Sequence, residues 1–219
     1  MRQPMLGIAA ALGLAVVPAR PGAAQVIGLP VYNSGIPSGL GLYGDVAFPN
    51  DRAGGGTTLA GTARLGVSRF GVTAAAAYLD APGSADNVTS VGGTLNYKLL
   101  GGPLVPLTVT LQGGLGYAKL AGDVKDYRVP IGLGFALTIP NPVLAIKPWL
   151  APRVDVTRHS RPAPAPSDTE THFGLSGGVE LNFLGGFGLH AAYDRVFVEG
   201  DDPGIFAAGA HYSLRIPGL

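Results

Sequence analysis

Two-residue alternation of side-chain character runs through this chain and leaves few folds open to it. In VPIGLGFALTI one phase is Val129, Ile131, Leu133, Phe135, Leu137 and Ile139, and the other is Pro130, Gly132, Gly134, Ala136 and Thr138. In THFGLSGGVELNF the residues Phe173, Leu175, Val179, Leu181 and Phe183 alternate with His172, Ser176, Glu180 and Asn182. Successive side chains of a strand point to opposite faces, so a period of two marks β-structure. The 35 glycines and 19 prolines oppose helix throughout. The alternation predicts ten strands, over 39–48, 57–68, 69–79, 88–100, 104–118, 126–139, 143–157, 170–184, 186–197 and 204–216. Each is long enough to cross a bilayer at a tilt, which takes roughly nine residues or more.

The composition decides which phase faces inward. Only 13% of the residues are charged against 47% hydrophobic, about half the charge of an ordinary soluble domain. A soluble barrel holding a lipophilic ligand would need the opposite polarity. The apolar phase is nearly continuous, as in Leu40, Leu42 and Val46, Leu107, Val109 and Leu111, or Leu144, Ile146, Leu150 and Val154. The other phase carries Asp45, Arg64, Asn96, Lys98, Gln112, Arg128, Lys147, Arg153, Asp155, His172, Glu180, His190, Asp194, His211 and Arg215. Charges of both signs can pair in a narrow polar interior, whereas each is costly if buried alone. Lipid is therefore expected against the apolar phase, and the charged residues in the lumen. Lys98, Arg128, Lys147 and Arg153 are expected to pair there with Asp45, Asp155, Glu180 and Asp194, filling the lumen as side chains do in small barrels. Aromatics on the apolar phase sort to the strand ends: Phe48, Tyr78, Tyr117, Tyr127, Phe173, Phe197 and Phe206 beside long links, and Phe70, Tyr97, Phe183, Phe187 and Tyr212 beside short ones. Two such belts mark membrane interfaces, although Phe135 and Tyr193 lie away from the ends.

The links alternate in length. Ser68-Arg69, LGGP, PNP and LGG are short; PNDRAGGG, DAPGSADN, LAGDVKDY, RHSRPAPAPSDTE and VEGDDPG are long. Tight periplasmic turns opposite longer extracellular loops give this pattern and place both ends of the barrel on the periplasmic side. At the N-terminus, Arg2, the apolar MLGIAAALGLAVV and the small residues of PARPGAA have the layout of a secretory signal peptide over 1–24. Its apolar run falls short of the ~20 residues of a spanning helix. Residues 25–38 are expected as a periplasmic segment, and 39–219 as one closed antiparallel transmembrane β-barrel domain.

From about residue 39 to 217 the chain resembles the small bacterial outer-membrane β-barrel proteins, a porin-like group. Its AAGAHYSLRI is similar to the assembly signal of that group, with Gly209, Tyr212 and Leu214 at the glycine, aromatic and hydrophobic positions, but it continues through Ile216 to PGL without a final aromatic. The resemblance implies the cell outer membrane of a Gram-negative-type bacterium. It also implies contact with outer-membrane lipid and lipopolysaccharide, and with the barrel-assembly machinery during insertion.

Motifs for chemistry are weak. A net charge of +1 without a Lys/Arg cluster gives no reason to expect nucleic acid, and zero cysteines exclude disulfides and thiolate metal sites. The glycine groups GLGLYG, GLGY and GLGF lack the Lys-Ser/Thr and helix of a phosphate loop. They read as strand glycines that relieve curvature. The sequon at Asn87 reads as incidental, and RPAPAPSD as a stiff exposed loop. His211-Tyr212-Ser213 is similar to the His-x-Ser pattern of outer-membrane lipid A deacylases, in which His is the base and Ser the nucleophile. Both residues fall on the lumen phase, well below the last long loop. His159, Asp168, Asp201 and Asp202 stand near the rim, as in the omptin proteases, but on loops too short for a protease cleft. His172, His190 and His211 lie at different depths, which favours lumenal hydrogen bonding over a metal site. Arg195, on the lipid phase, either snorkels to the interface or turns inward at a bulge. No catalytic residue, cofactor or metal is expected. The reading is a structural or surface-interaction barrel with at most narrow passive permeability, the alternatives being a small channel for ions or solutes and an outer-membrane lipid or peptide hydrolase.

Overall fold

The structure, a computed structural model, describes residues 26–83, 87–102, 105–200 and 202–214. The expected signal peptide, Asp201 and Arg215 lie outside the described residues. Ten strands form: β1 (Gly39–Pro49), β2 (Thr57–Val67), β3 (Phe70–Asp80), β4 (Val88–Gly102), β5 (Val105–Lys119), β6 (Lys125–Leu137), β7 (Leu144–Ser160), β8 (Asp168–Phe183), β9 (Phe187–Phe197) and β10 (Gly204–Leu214). Each pairs antiparallel with its neighbours in the chain, and β1 pairs with β10 from Leu40↔Leu214 to Pro49↔Ile205, closing the barrel. Closure leaves no sheet edge, so the ladders satisfy the backbone groups that lipid could not.

The strands stand where the alternation places them, with two local differences. The β7/β8 ladder runs beyond the expected ends, through Thr157↔Glu170 and Arg158↔Thr169 to His159↔Asp168. Between β6 and β7 the ladder stops at Ala136↔Trp149, ahead of Pro140 and Pro142, which have no N–H to donate; the isolated bridge Ile139↔Ile146 continues it. The tightest turn, Ser68-Arg69, puts Ser68 at φ 56°, in the left-handed region.

Polarity is inverted relative to a soluble barrel. Leucines such as Leu42, Leu59, Leu95, Leu115 and Leu150 are exposed outside, while Arg64, Arg153, Asp155, Glu180 and Asp194 are buried inside. Aromatic rings meet across strands at both ends of the apolar band. Tyr117 and Tyr127 (5.3 Å) and Phe173 and Phe197 (5.7 Å) lie toward the long loops, and Phe70 and Tyr97 (5.1 Å) and Phe183 and Phe187 (6.1 Å) toward the short turns. Phe48 faces Phe206 across the seam between β1 and β10, and Phe187 faces Tyr212. Tyr78 is exposed on the same outer surface.

The segment ahead of β1 departs from expectation. Residues 26–38 do not lie beside the barrel in the periplasm; they run inside it. Val26 and Leu29 pack on Ala47, Ala77, Ile205 and Ala207 near the long loops, while Gly66 and Gly71, beside the short turn, lie against Ile36 and Pro37. The chain descends through the lumen from the long-loop end, reverses at the bottom and climbs again as β1. The physical reason is the fit. Its apolar upper part meets small and aliphatic lumenal residues, and its polar lower part meets the charged ones.

Candidate functional site

The segment is held in three tiers. At the top, Ile27 joins Leu79, Val88 and Ala118, beside the Val26 and Leu29 cluster. These wall residues occupy the lumen phase yet are apolar, which suits them to an apolar occupant and not to water. Gly28, at φ +76°, brings the backbone so close to the wall that a Cβ there would lie 2.0 Å from Thr58 Oγ1.

In the middle tier the N–H of Val31 donates to Asp194 Oδ2 at 2.9 Å. Asp194 also accepts from Arg153 Nη2 at 2.7 Å and from the Ser176 hydroxyl at 3.0 Å. Arg153 donates through Nε to Asp155 at 3.0 Å and through Nη1 to Ser176 at 2.5 Å, and Arg128 pairs with Asp155 on the other side. Two arginines and two carboxylates balance in charge, which lets them be buried together. Beside them Tyr32 donates its hydroxyl to Asp45 at 2.6 Å, and His190 Nε2 meets the same oxygen at 2.7 Å. His190 Nδ1 lies 3.2 Å from His211 Nδ1, and His211 Nε2 lies 3.0 Å from Asn182 Oδ1. Tyr43 stacks on His211 at 4.7 Å, with the Arg64 guanidinium 5.1 Å from its centroid.

In the lower tier Asn33 accepts from Thr110 at 2.6 Å, and Gln112 donates to the carbonyl of Tyr32 at 2.9 Å. Ser34 bonds to Glu180. Arg64 donates to Ser34 at 3.0 Å, to Glu180 at 3.3 Å and to the Gly35 carbonyl at 2.7 Å, and Lys147 approaches Glu180 at 3.7 Å. Two lumen-facing glycines make room. A Cβ on Gly134 would fall 2.4 Å from Asn33, and one on Gly66 would fall 1.8 Å from the Pro37 carbonyl. Gly134 belongs to the GLGF group, so close approach of a second backbone, and not curvature alone, accounts for that glycine.

Of the residues singled out in the sequence, Asp45, Arg64, Asn96, Gln112, Arg128, Arg153, Asp155, Glu180, His190, Asp194 and His211 are buried in the lumen, and Lys98, Lys147 and His172 are half-buried. Asp45 pairs with a histidine and a tyrosine, where a lysine or arginine was expected. His190 and His211, expected at different depths, meet because strand tilt brings diagonal neighbours on β9 and β10 together; His172 instead meets Glu170 at 3.2 Å. Arg195 stays outside and reaches up to Asp202 at 2.7 Å. Ser176, read on the lumenal phase, is buried there; Tyr32, Asn33, Ser34 and Tyr43 were missed. Their signal was in the wall: Ala47, Ala77, Leu79, Ile205 and Ala207 are apolar where a water-filled lumen would be polar.

No protein-family model and no curated protein matches the chain. Solved structures resemble it in fold. The N-terminal β-barrel domain of Pseudomonas aeruginosa OprF is 9% identical, with a TM-score of 0.38 over 80% of this chain and 97% of that one. Neisserial surface protein A is 15% identical, with a TM-score of 0.39 over 81% and 98%. The outer-membrane protease OmpT of Escherichia coli is 12% identical, with a TM-score of 0.41 over 81% and 94%. The likeness is one of fold, and the closed antiparallel barrel, apolar exterior and charged interior are those of a transmembrane β-barrel.

Proposed function

We propose that this protein is a plugged barrel with a structural or surface-interaction role, whose resting lumen passes at most small ions. One observation carries the reading: residues 26–38 descend the full lumen, and Val31, Asn33 and Ser34 are each at most 1% exposed. A channel for solutes would need that space. Four of the lumenal charges that in an open pore would select ions, Asp45, Arg64, Glu180 and Asp194, are engaged with the segment. Catalysis is not part of the reading: His211, the candidate base of the His-x-Ser pattern, is buried in the lumen, away from the lipid that a deacylase would act on. Contacts with the surroundings then fall to the outer surface: lipid and lipopolysaccharide against the apolar band, partners at the long loops, and the assembly machinery on β10.

Planar-bilayer recording tests this. The full-length protein, shown to be folded by its heat-dependent gel mobility, should be silent or nearly so, and a variant lacking residues 26–35 should give discrete, salt-dependent steps. Large steps from the full-length protein would refute the plug and favour the small-channel alternative.

A further inference from the structure

At the long-loop mouth, above the network that grips the segment, β6, β7 and β8 gather a histidine and three carboxylates. Asp126 pairs in register with His159, His159 with Asp168, and Thr157 with Glu170. One ligand atom each of His159, Asp168 and Glu170 lies within 4.8 Å of the others. We propose that these three residues bind a divalent transition-metal ion, with zinc the best match, and that Asp126 orients the histidine.

The chemistry follows from the contacts. Asp126 meets Nδ1 of the buried His159, which leaves Nε2 for a metal. A carboxylate behind a histidine is the usual outer shell of a metal site, fixing the tautomer and raising the basicity of the ligand nitrogen. One imidazole nitrogen and two carboxylate oxygens suit zinc or a neighbouring transition metal better than calcium or magnesium, which prefer oxygen alone. Zinc would draw the ligands to about 2.0–2.2 Å from itself. Among the contacts of the half-buried Asp168 and Glu170 are partly exposed ion pairs, 3.3 Å from Asp168 to Arg161 and 3.2 Å from Glu170 to His172, with which the metal would compete for the two carboxylates. A separate observation points to a ligand here. The hydroxyl of Thr157, a residue 5% exposed on the same lumenal face and directly across from Glu170, has no hydrogen-bond partner. Buried hydroxyls are nearly always paired, and a water on the metal would pair this one.

The test is calorimetric titration of zinc into the tag-free, detergent-folded, full-length protein at neutral pH. Saturable uptake of one ion per barrel is expected, lost in His159→Ala and weakened at least tenfold in Glu170→Gln. Asp126→Asn should weaken binding about 10–100-fold without abolishing it, as outer-shell changes do. Each variant must keep the heat-dependent mobility of the folded barrel. Cobalt in place of zinc should give a visible absorption band that His159→Gln removes. Absence of saturable uptake by the folded wild type, or a titration of His159→Ala identical to wild type, would overturn the proposal.

Discussion

Replacing Asp194 by alanine should weaken the grip of the barrel on its plug more than any other single lumenal change. The carboxylate is 1% exposed and accepts from Val31, Arg153 and Ser176 at once. Deleting one partner of a buried ion pair costs about 3–5 kcal/mol. Here the lower end applies, since Arg153 keeps Asp155 and Ser176. The Val31 N–H, on a fully buried residue, is stranded as well, and a buried unsatisfied donor costs about 1–3 kcal/mol. Both losses flow from one carboxylate and overlap, giving a total of about 4 kcal/mol. At about 2–4 °C per kcal/mol for a chain of this size, the midpoint of the heat-dependent mobility shift should fall by on the order of 10 °C. Asp194→Asn keeps an oxygen for Val31 and should fall roughly half as far. The same protein in planar bilayers should flicker open where the wild type is silent. An Asp194→Ala midpoint within error of wild type would refute the argument that this carboxylate joins wall to plug.

Other perturbations probe the remaining tiers. Gly134→Leu thrusts a side chain into Asn33 and should open the pore to ions, whereas Gly113→Leu, where a Cβ meets nothing within 4 Å, should leave the barrel closed; equal conductance from the two would count against the plug. Glu180→Gln leaves Arg64 and Lys147 without their shared counter-charge and should destabilise by about 3 kcal/mol, read in the same mobility assay. In the β9–β10 loop the Val198 N–H, and next Arg195, hold the Asp202 carboxyl below its ordinary range. The sign follows: this support is present above the ordinary aspartate pKa and is lost only as pH falls through the lowered folded value. Amide exchange at Val198, corrected for intrinsic rate, should therefore be steady near neutrality and accelerate in acid; Asp202→Asn should be fast throughout.

The strands and their two faces were legible because lipid on one side and a crowded polar lumen on the other impose a strict period of two. Leu107, Val109 and Leu111 show it as plainly as Arg153 and Asp155. The plug was not legible. VIGLPVYNSGIPSG has no period, with Pro30 and Pro37 interrupting any strand and Gly28 and Gly35 taking positive φ. What holds it is spread over residues far away in sequence: Asp194 for Val31, Glu180 for Ser34, Thr110 for Asn33. The β7/β8 extension was hidden for another reason. His159 and Asp168 flank a proline-rich loop and look like loop residues until the ladder reaches them.

The direction of the lumenal segment constrains the order in which the molecule can assemble. The segment spans the lumen from the long-loop end to the short-turn end, so strands that fold around it meet a common partner before the cylinder closes. Four of its polar anchors, Arg64, Thr110, Glu180 and Asp194, lie on β2 through β9, so the wrapping can gather those strands before the last seam, between β1 and β10, is sewn. That seam joins the most distant strands in sequence, the slowest kind of contact to form. A segment already bound along the inner wall holds β1 near the opposite edge and shortens the search, so it serves as a mandrel before it serves as a stopper.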